Sequence, residues 1–267
     1  MHIVVCINHI PDPEAPPKQF KVDEQANRAL VDKMNRVIGP FDENALETAL
    51  QIKEATGARV TALTLGPTTS QEALRRALGV KCDAAVHIKE EQAPIMDSWG
   101  VATLLAAAVR KLGGVDLVLC GRQVGDWDSG QVGQLLAAEL GYSCVTLALQ
   151  LEAQGGEAVR ATREVPGGLA VTEADLPAVV TVTNAPSNQL RTPKVRDTMA
   201  AFRIPITTWG GSDVGVDVAS LQAGGAKVAL RKLSMPVSAV QVEMIEGETE
   251  EAIAEGLAKK ILGFKVI

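Results

Sequence analysis

The sequence predicts an α/β fold, a doubly wound parallel sheet with added strands and an extended C-terminal arm. Three observations lead there. Apolar β-branched runs alternate four times with amphipathic helical stretches over residues 2–140, and Gly or Pro marks most of the junctions. After about residue 145 the pattern changes to short alternating segments, and from 184 to an irregular, charge-bearing tail.

Taken in order, residues 2–9 form the first strand, and Pro11-Asp12-Pro13 opens a polar stretch to about 36 that suits a small hairpin. Gly39-Pro40 starts a helix with Asp42 and Glu43 in its first turn, Ala45, Leu46, Ala49 and Leu50 as its stripe, and Gly57 at its end. Early acid and terminal Gly match the helix dipole and the left-handed cap. A second round gives a strand at 58–65, Gly66-Pro67, a capping box in Thr69-x-x-Glu72 and a helix ending at Gly79. The third gives a strand at 83–88 and a helix at about 97–112. The fourth gives a strand at 115–120, a loop and a helix at 128–140. Such alternation argues for parallel strands with helices on both faces. Segments near 157–164, 169–174 and 178–183 extend the sheet. The tail holds a basic arm with Arg191, Lys194, Arg196 and Arg203, then a Gly- and Ser-containing stretch through 225. A last helix, from Glu248 to Gly263, carries only the thin apolar line Ile253, Leu257 and Ile261, which suits docking on another surface.

Composition narrows the function. With 267 residues, 46% of them hydrophobic and 22% charged, the chain suits one main domain plus extensions. A net charge of −6 argues against nucleic acid, whose phosphates require clustered Lys and Arg. No apolar run approaches the roughly 20 residues of a membrane span, and the start lacks a basic leader, so a cytoplasmic protein without membrane insertion is expected. Cys6, Cys82, Cys120 and Cys144 are far apart and read as buried reduced thiols, with no metal site.

In such a fold, ligands sit outside the carboxyl ends of the strands. Here these are Cys6-Ile7-Asn8-His9, Leu65-Gly66-Pro67 and Cys120-Gly121-Arg122-Gln123. The richest segment continues through Val124, Gly125, Asp126, Trp127, Asp128, Ser129, Gly130, Gln131, Val132 and Gly133. It offers glycines for close backbone approach, Ser and Gln as donors, and a helix start that can hold a phosphate. The plainer reading is a Gly-rich turn capped by Asp128. Asp126 and Asp128 could serve as acid and base, although carboxylates at a helix start are more often caps. There is no GxGxxG after the first strand, no GxxxxGKS/T and no GxSxG, so a dehydrogenase, kinase or hydrolase is not indicated. His2, His9 and His87 fall in or at the ends of strands, where packing is their commoner role.

Together the segments resemble the electron-transfer flavoprotein beta subunit (the ETF beta/FixA family) over nearly the whole chain. They are Gly39-Pro40-Phe41-Asp42-Glu43-Asn44-Ala45-Leu46-Glu47, similar to the family's N-P-F-D-x-x-A-x-E; Leu63-Thr64-Leu65-Gly66-Pro67; Gly121-Arg122-Gln123 through Gln131-Val132-Gly133; Leu176-Pro177-Ala178-Val179-Val180-Thr181-Val182; and Arg191-x-Pro193 through Met199-Ala200-Ala201. The resemblance implies a Rossmann-like fold of the adenine-nucleotide alpha-hydrolase type and an electron carrier rather than an enzyme. It implies a heterodimer with an ETF alpha subunit that holds most of a shared FAD. Donors would be acyl-CoA or other flavin dehydrogenases; the acceptor, a quinone reductase or ferredoxin-type protein.

The resemblance also implies that the chain binds AMP with Cys6, Gly39, Pro40, Phe41, Asp42, Leu65 and Gly121 through Val132. Pro13 and Phe41 would approach the FAD, and Arg191, Val195 and Met199 would meet the donor. Residues 1–183 would form the nucleotide-binding domain, 184–203 the recognition segment, and 204–267 an arm and helix on the partner subunit. Gly39 replaces the usual Asn, and Asn8-His9 the usual basic residue. Asp128-Ser129-Gly130-Gln131-Val132-Gly133 resembles the D-T-A-Q-V-G of bifurcating members, where a second FAD takes the place of AMP. From another class, a universal-stress-type nucleotide sensor would share the fold, but its Gly-rich phosphate motif is not matched. An ATP-pyrophosphatase would need an S-G-G-x-D-S loop, which residues 6–11 do not supply.

Overall fold

The computed structural model describes residues 1–31, 33–222, 225–236 and 242–264. The first strand, β1 (His2–Cys6), ends sooner than its apolar run. Two short pairs then form: β2 (His9–Pro11) runs against β5 (Arg36–Ile38), and β3 (Val22–Asp23) against β4 (Arg28–Ala29). Helix α1 (Pro40–Thr56) closes with Gly57 at φ 73°, the left-handed cap its sequence predicts. There follow β6 (Arg59–Gly66), α2 (Gln71–Gly79), β7 (Ala84–Lys89), α3 (Ser98–Leu112), β8 (Leu117–Gly121) and α4 (Val132–Leu140).

The long β9 (Ser143–Gln154), β10 (Ala158–Val165), β11 (Gly168–Asp175) and β12 (Ala178–Val182) come next. The chain continues through α5 (Val195–Ala201), β13 (Thr207–Trp209), α6 (Val218–Gln222) and α7 (Glu250–Gly263). Among the described residues the main sheet has nine strands in the order β11-β10-β9-β12-β8-β1-β6-β7-β13. It is parallel from the first half of β9 to β13, while β10 and β11 are antiparallel.

Alternation along β1 sends Ile3 and Val5 to one core, with α1 and α2, and Val4 and Cys6 to the other, with α3 and α4. The doubly wound expectation holds. β1 and β8 lie side by side at its reversal point: β1 leads through α1 to β6 on one flank, and β8 leads through α4 toward β9 on the other.

Several expectations need correction. Segment 178–183 is not an added edge: β12 inserts between β8 and β9, buried on both faces. The first half of β9 pairs with β12, and the strand bends at Leu147 (φ 60°), where Thr181 Oγ1 accepts the Leu147 N–H at 3.0 Å. This bend redirects β9 into the antiparallel extension. The stretch after 204 returns to the sheet as β13, paired with β7. Cys144 is exposed, unlike Cys6, Cys82 and Cys120. Thr69-x-x-Glu72 makes no capping box. Residues 68–70 form a 3₁₀ turn, and α2 begins with no side-chain cap because Ser70 already has helical dihedrals.

Candidate functional site

The reversal point creates a crevice at the carboxyl ends of β1 and β8, with the end of β6 beside them. Asp42 holds its walls together. It lies in the first turn of α1 and is 5% exposed; Oδ2 accepts the Asn8 N–H at 2.8 Å, and Oδ1 accepts the Gly121 N–H at 3.1 Å. The turn after β1, the start of α1 and the end of β8 thus meet on one carboxyl group. Gly121 is the residue that permits this approach. A Cβ there would lie 2.5 Å from Asp42 Oδ1 and 2.8 Å from the Phe41 carbonyl carbon. Burial raises the Asp42 carboxyl to about 7 against the pull of both N–H donors, with Asp126 and Glu43 adding to the rise.

The end of β6 is tied in separately. Thr64 Oγ1 donates to the Ile7 carbonyl at 2.7 Å, and the Ile7 N–H donates to the Leu63 carbonyl at 2.9 Å. Cys6 and Cys120 are buried beside each other, on neighbouring strands at the crevice floor. A hydrogen bond with Cys6, and burial, hold the Cys120 thiol well above its ordinary range, so it is a poor nucleophile.

The loop after β8 is built differently from the capped turn. Asp128 takes a left-handed conformation (φ 49°), and its Oδ1 accepts from Gln123 Nε2 at 2.9 Å. It caps nothing: α4 starts at Val132, and its cap position, Gln131, makes no side-chain bond. The first turns of α1 and α2 also lack a side-chain cap, whereas α3, which starts away from the reversal point, is capped by Asp97 accepting the Gly100 N–H at 2.9 Å. The starts of α1 and α4 therefore keep N–H groups that suit an anion, whereas at α2 the 3₁₀ turn already occupies the N–H groups of Ser70 and Gln71. Gly133 allows α4 to close on β12, since a Cβ there would lie 2.3 Å from Thr181 Cγ2. Gly125 packs on Ile10. Asp126, Trp127, Asp128 and Ser129 are exposed, and Val124 and Gly130 on either side of them are half-buried.

The structure brings together Cys6, Gly39, Pro40, Phe41, Asp42, Leu65 and the 121–132 loop. Within that group Arg122 is already engaged. Its guanidinium lies 5.2 Å from the Phe41 ring centroid, donates to Thr183 Oγ1 at 3.2 Å and stands 3.8 Å from Glu164. Pro13 is exposed in the turn after β2.

The segment at 191–203 is not an irregular basic arm, because α5 forms within it and packs on α2. Arg191 does not face outward as a docking residue would. Its Nη2 and Nε hold buried Glu47 at 2.7 and 3.0 Å, and its Nη1 bonds Glu54. Val195 (78% exposed), Met199 (66%) and Phe202 (67%) instead project one helical turn apart. In the sequence Asn8 and Thr64 fall within the strand-end segments but carry no assigned role, and Thr183 and Glu164 are not assigned to the site at all. No local pattern marks them, since the sheet order alone brings them to the crevice.

The electron transfer flavoprotein domain family model matches residues 28–214. Among curated relatives, the electron transfer flavoprotein subunit beta of Megasphaera elsdenii is 31% identical over the full length of both chains. The caffeyl-CoA reductase-Etf complex subunit CarD of Acetobacterium woodii is 33% identical over 98% of each chain. Protein FixA of Azorhizobium caulinodans is 30% identical over 98% of this chain and 94% of its own. A family-model match over most of the chain, with relatives at 30–33% identity over nearly their full length, has one consequence: the chain belongs to the electron transfer flavoprotein beta-subunit (ETF beta/FixA) family of electron-transfer proteins.

Proposed function

We propose that the chain pairs with an alpha-type subunit, shares an FAD with it, and holds AMP in its own crevice. The observation that carries this reading is the convergence of three strand ends and the open helix starts of α1 and α4 at one reversal point. The residues fit the group. The walls close without side chains at Gly39 and Gly121, and the helix starts supply N–H donors for a phosphate. A bound FAD would supply a flavin ring able to take up and release electrons. This chain's part is to orient and to shield: the Phe41–Arg122 pair and the Pro13 turn form its side of the shared pocket. AMP then serves as a structural ligand that fixes the loop after β8.

In this reading residues 1–183 are the nucleotide-binding unit, and the α5 face with Val195, Met199 and Phe202 meets the donor dehydrogenase. The arm from 204 onward, with exposed Val228, Leu230, Met235, Val242, Met244 and the α7 stripe, wraps the partner subunit. We place the complex in the cytoplasm, passing electrons from a flavin dehydrogenase to a quinone reductase or ferredoxin-type acceptor. No helix among the described residues is long and apolar enough to cross a membrane. The test is to release and count nucleotides from the co-purified heterodimer. One FAD and one AMP are expected, while one FAD with no second nucleotide would contradict the reading. A second reading, electron bifurcation with FAD in place of AMP, is favoured by the Asp128–Gly133 stretch and by the likeness to CarD, whose name places it in a reductase complex. Two FAD per heterodimer would select it.

A further inference from the structure

The sequence reading counts Asp42 among the nucleotide contacts, but its geometry gives it a different task. Both carboxyl oxygens are occupied by backbone donors from segments that follow different strands, Asn8 after β1 and Gly121 at the end of β8. The group is buried under Gly39, whose Cβ, were there one, would lie 3.0 Å from Oδ2. A side chain so enclosed has no face left for a ligand. We propose that Asp42 is a positioning residue: its ionised carboxylate holds the ends of β1 and β8 at the separation that the nucleotide crevice requires, so nucleotide affinity follows its ionisation. The inference rests on the adenine-nucleotide reading above.

The chemistry gives the direction. An ionised carboxylate accepts two N–H bonds without conflict, whereas the acid form gains a donor and offers one N–H a poorer acceptor. The titratable groups that face Asp42 are Glu43 on the same helix, Asp126 from the loop after β8, and the Cys120 thiol at the end of β8. Among the described residues no cation acts on it, and the burial that raises it to about 7 brings the change into the physiological range.

The test uses the full chain with adenosine and AMP as probes, since adenosine has no phosphate to titrate. Affinity for both is measured from pH 6 to 8 in the wild type and in Asp42→Asn, alongside NMR protection of the Asn8 and Gly121 amides. The expected result is a rise in wild-type affinity of about tenfold with pH, the equivalent of one charge-assisted hydrogen bond. In Asp42→Asn the profile for adenosine is flat and both amides lose protection. Binding that does not change with pH in the wild type, or an equal slope in the variant, overturns the proposal and leaves the nucleotide reading intact. If neither probe binds at any pH while both amides stay protected, the nucleotide reading fails and only the staple remains. Should Asp42→Asn not fold, the wild-type adenosine profile decides alone.

Discussion

Asp42 is where folding and function make opposite demands. Its carboxyl titrates near 7 in the folded chain and near about 3.9 when unfolded, so between those values the folded chain binds the extra proton. The stability this group contributes is therefore complete below about pH 4 and lost as pH rises through 7, up to about 4 kcal/mol. Chemical unfolding of wild type and Asp42→Asn at pH 5 and pH 8 checks the sign: the wild type's advantage over the variant shrinks at the higher pH. Arg191 is the second residue whose role geometry changes. Removing its guanidinium leaves Glu47 buried without its counter-charge, held only by the residue-191 N–H and Gln51 Nε2, so Arg191→Ala is expected to destabilise the chain by about 3 kcal/mol, read from the same unfolding curves. The motif around 39–42 placed Asp42 at the site. Its orientation was not legible, because it depends on Gly121, a residue on another strand with which Asp42 shares no sequence spacing.

Among the elements, α5 shows how a charge run misleads. Arg191, Lys194 and Arg196 read as one basic arm that meets the donor, yet the carboxylates that anchor Arg191 lie on α1, and the exposed surface of α5 carries Val195 and Met199 beside Arg196. Val195 and Met199 make no core contact that their loss would expose. The double variant Val195→Ala, Met199→Ala is expected to shift unfolding by no more than about 0.5 kcal/mol while slowing electron transfer from the donor dehydrogenase, measured by flavin reduction in the heterodimer. Helix α4 shows the converse error. Asp128 has the residue type of a cap, but its left-handed backbone and its bond to Gln123 extend the loop, and the helix starts only at Val132. Propensity placed the helix correctly. Its start was set by a loop conformation that propensity does not encode.

Across the whole molecule, the alternation of apolar runs and helical stripes made the doubly wound core legible, because each period reports local burial. Strand order is not written locally. The insertion of β12 between β8 and β9, and the return of the chain as β13, depend on which edges remain to be covered, so neither could be read from residues 178–183 or 204–210.

The tail is pinned by polar side chains of the core. Asp97 Oδ2 accepts the Lys227 and Val228 N–H groups at 2.6 and 3.0 Å, and Asn27 bonds the backbone of Leu230 and Leu233. Among its described residues Val228, Leu230, Met235, Val242 and Met244 face outward, with Val228 65% exposed. Deleting residues 225–267 is therefore expected to leave the sheet folded, by circular dichroism, while abolishing co-elution with the alpha-type subunit on gel filtration.

Photolabelling of the purified full-length chain with 8-azido-AMP, followed by peptide mapping, tests the central claim most directly. Label confined to peptides spanning 39–42, 65–67 or 121–132, and suppressed by unlabelled AMP, is the expected result. Label on the β9–β11 extension or on the tail, or incorporation that excess AMP does not reduce, would contradict the assignment of the strand-end crevice as the nucleotide site.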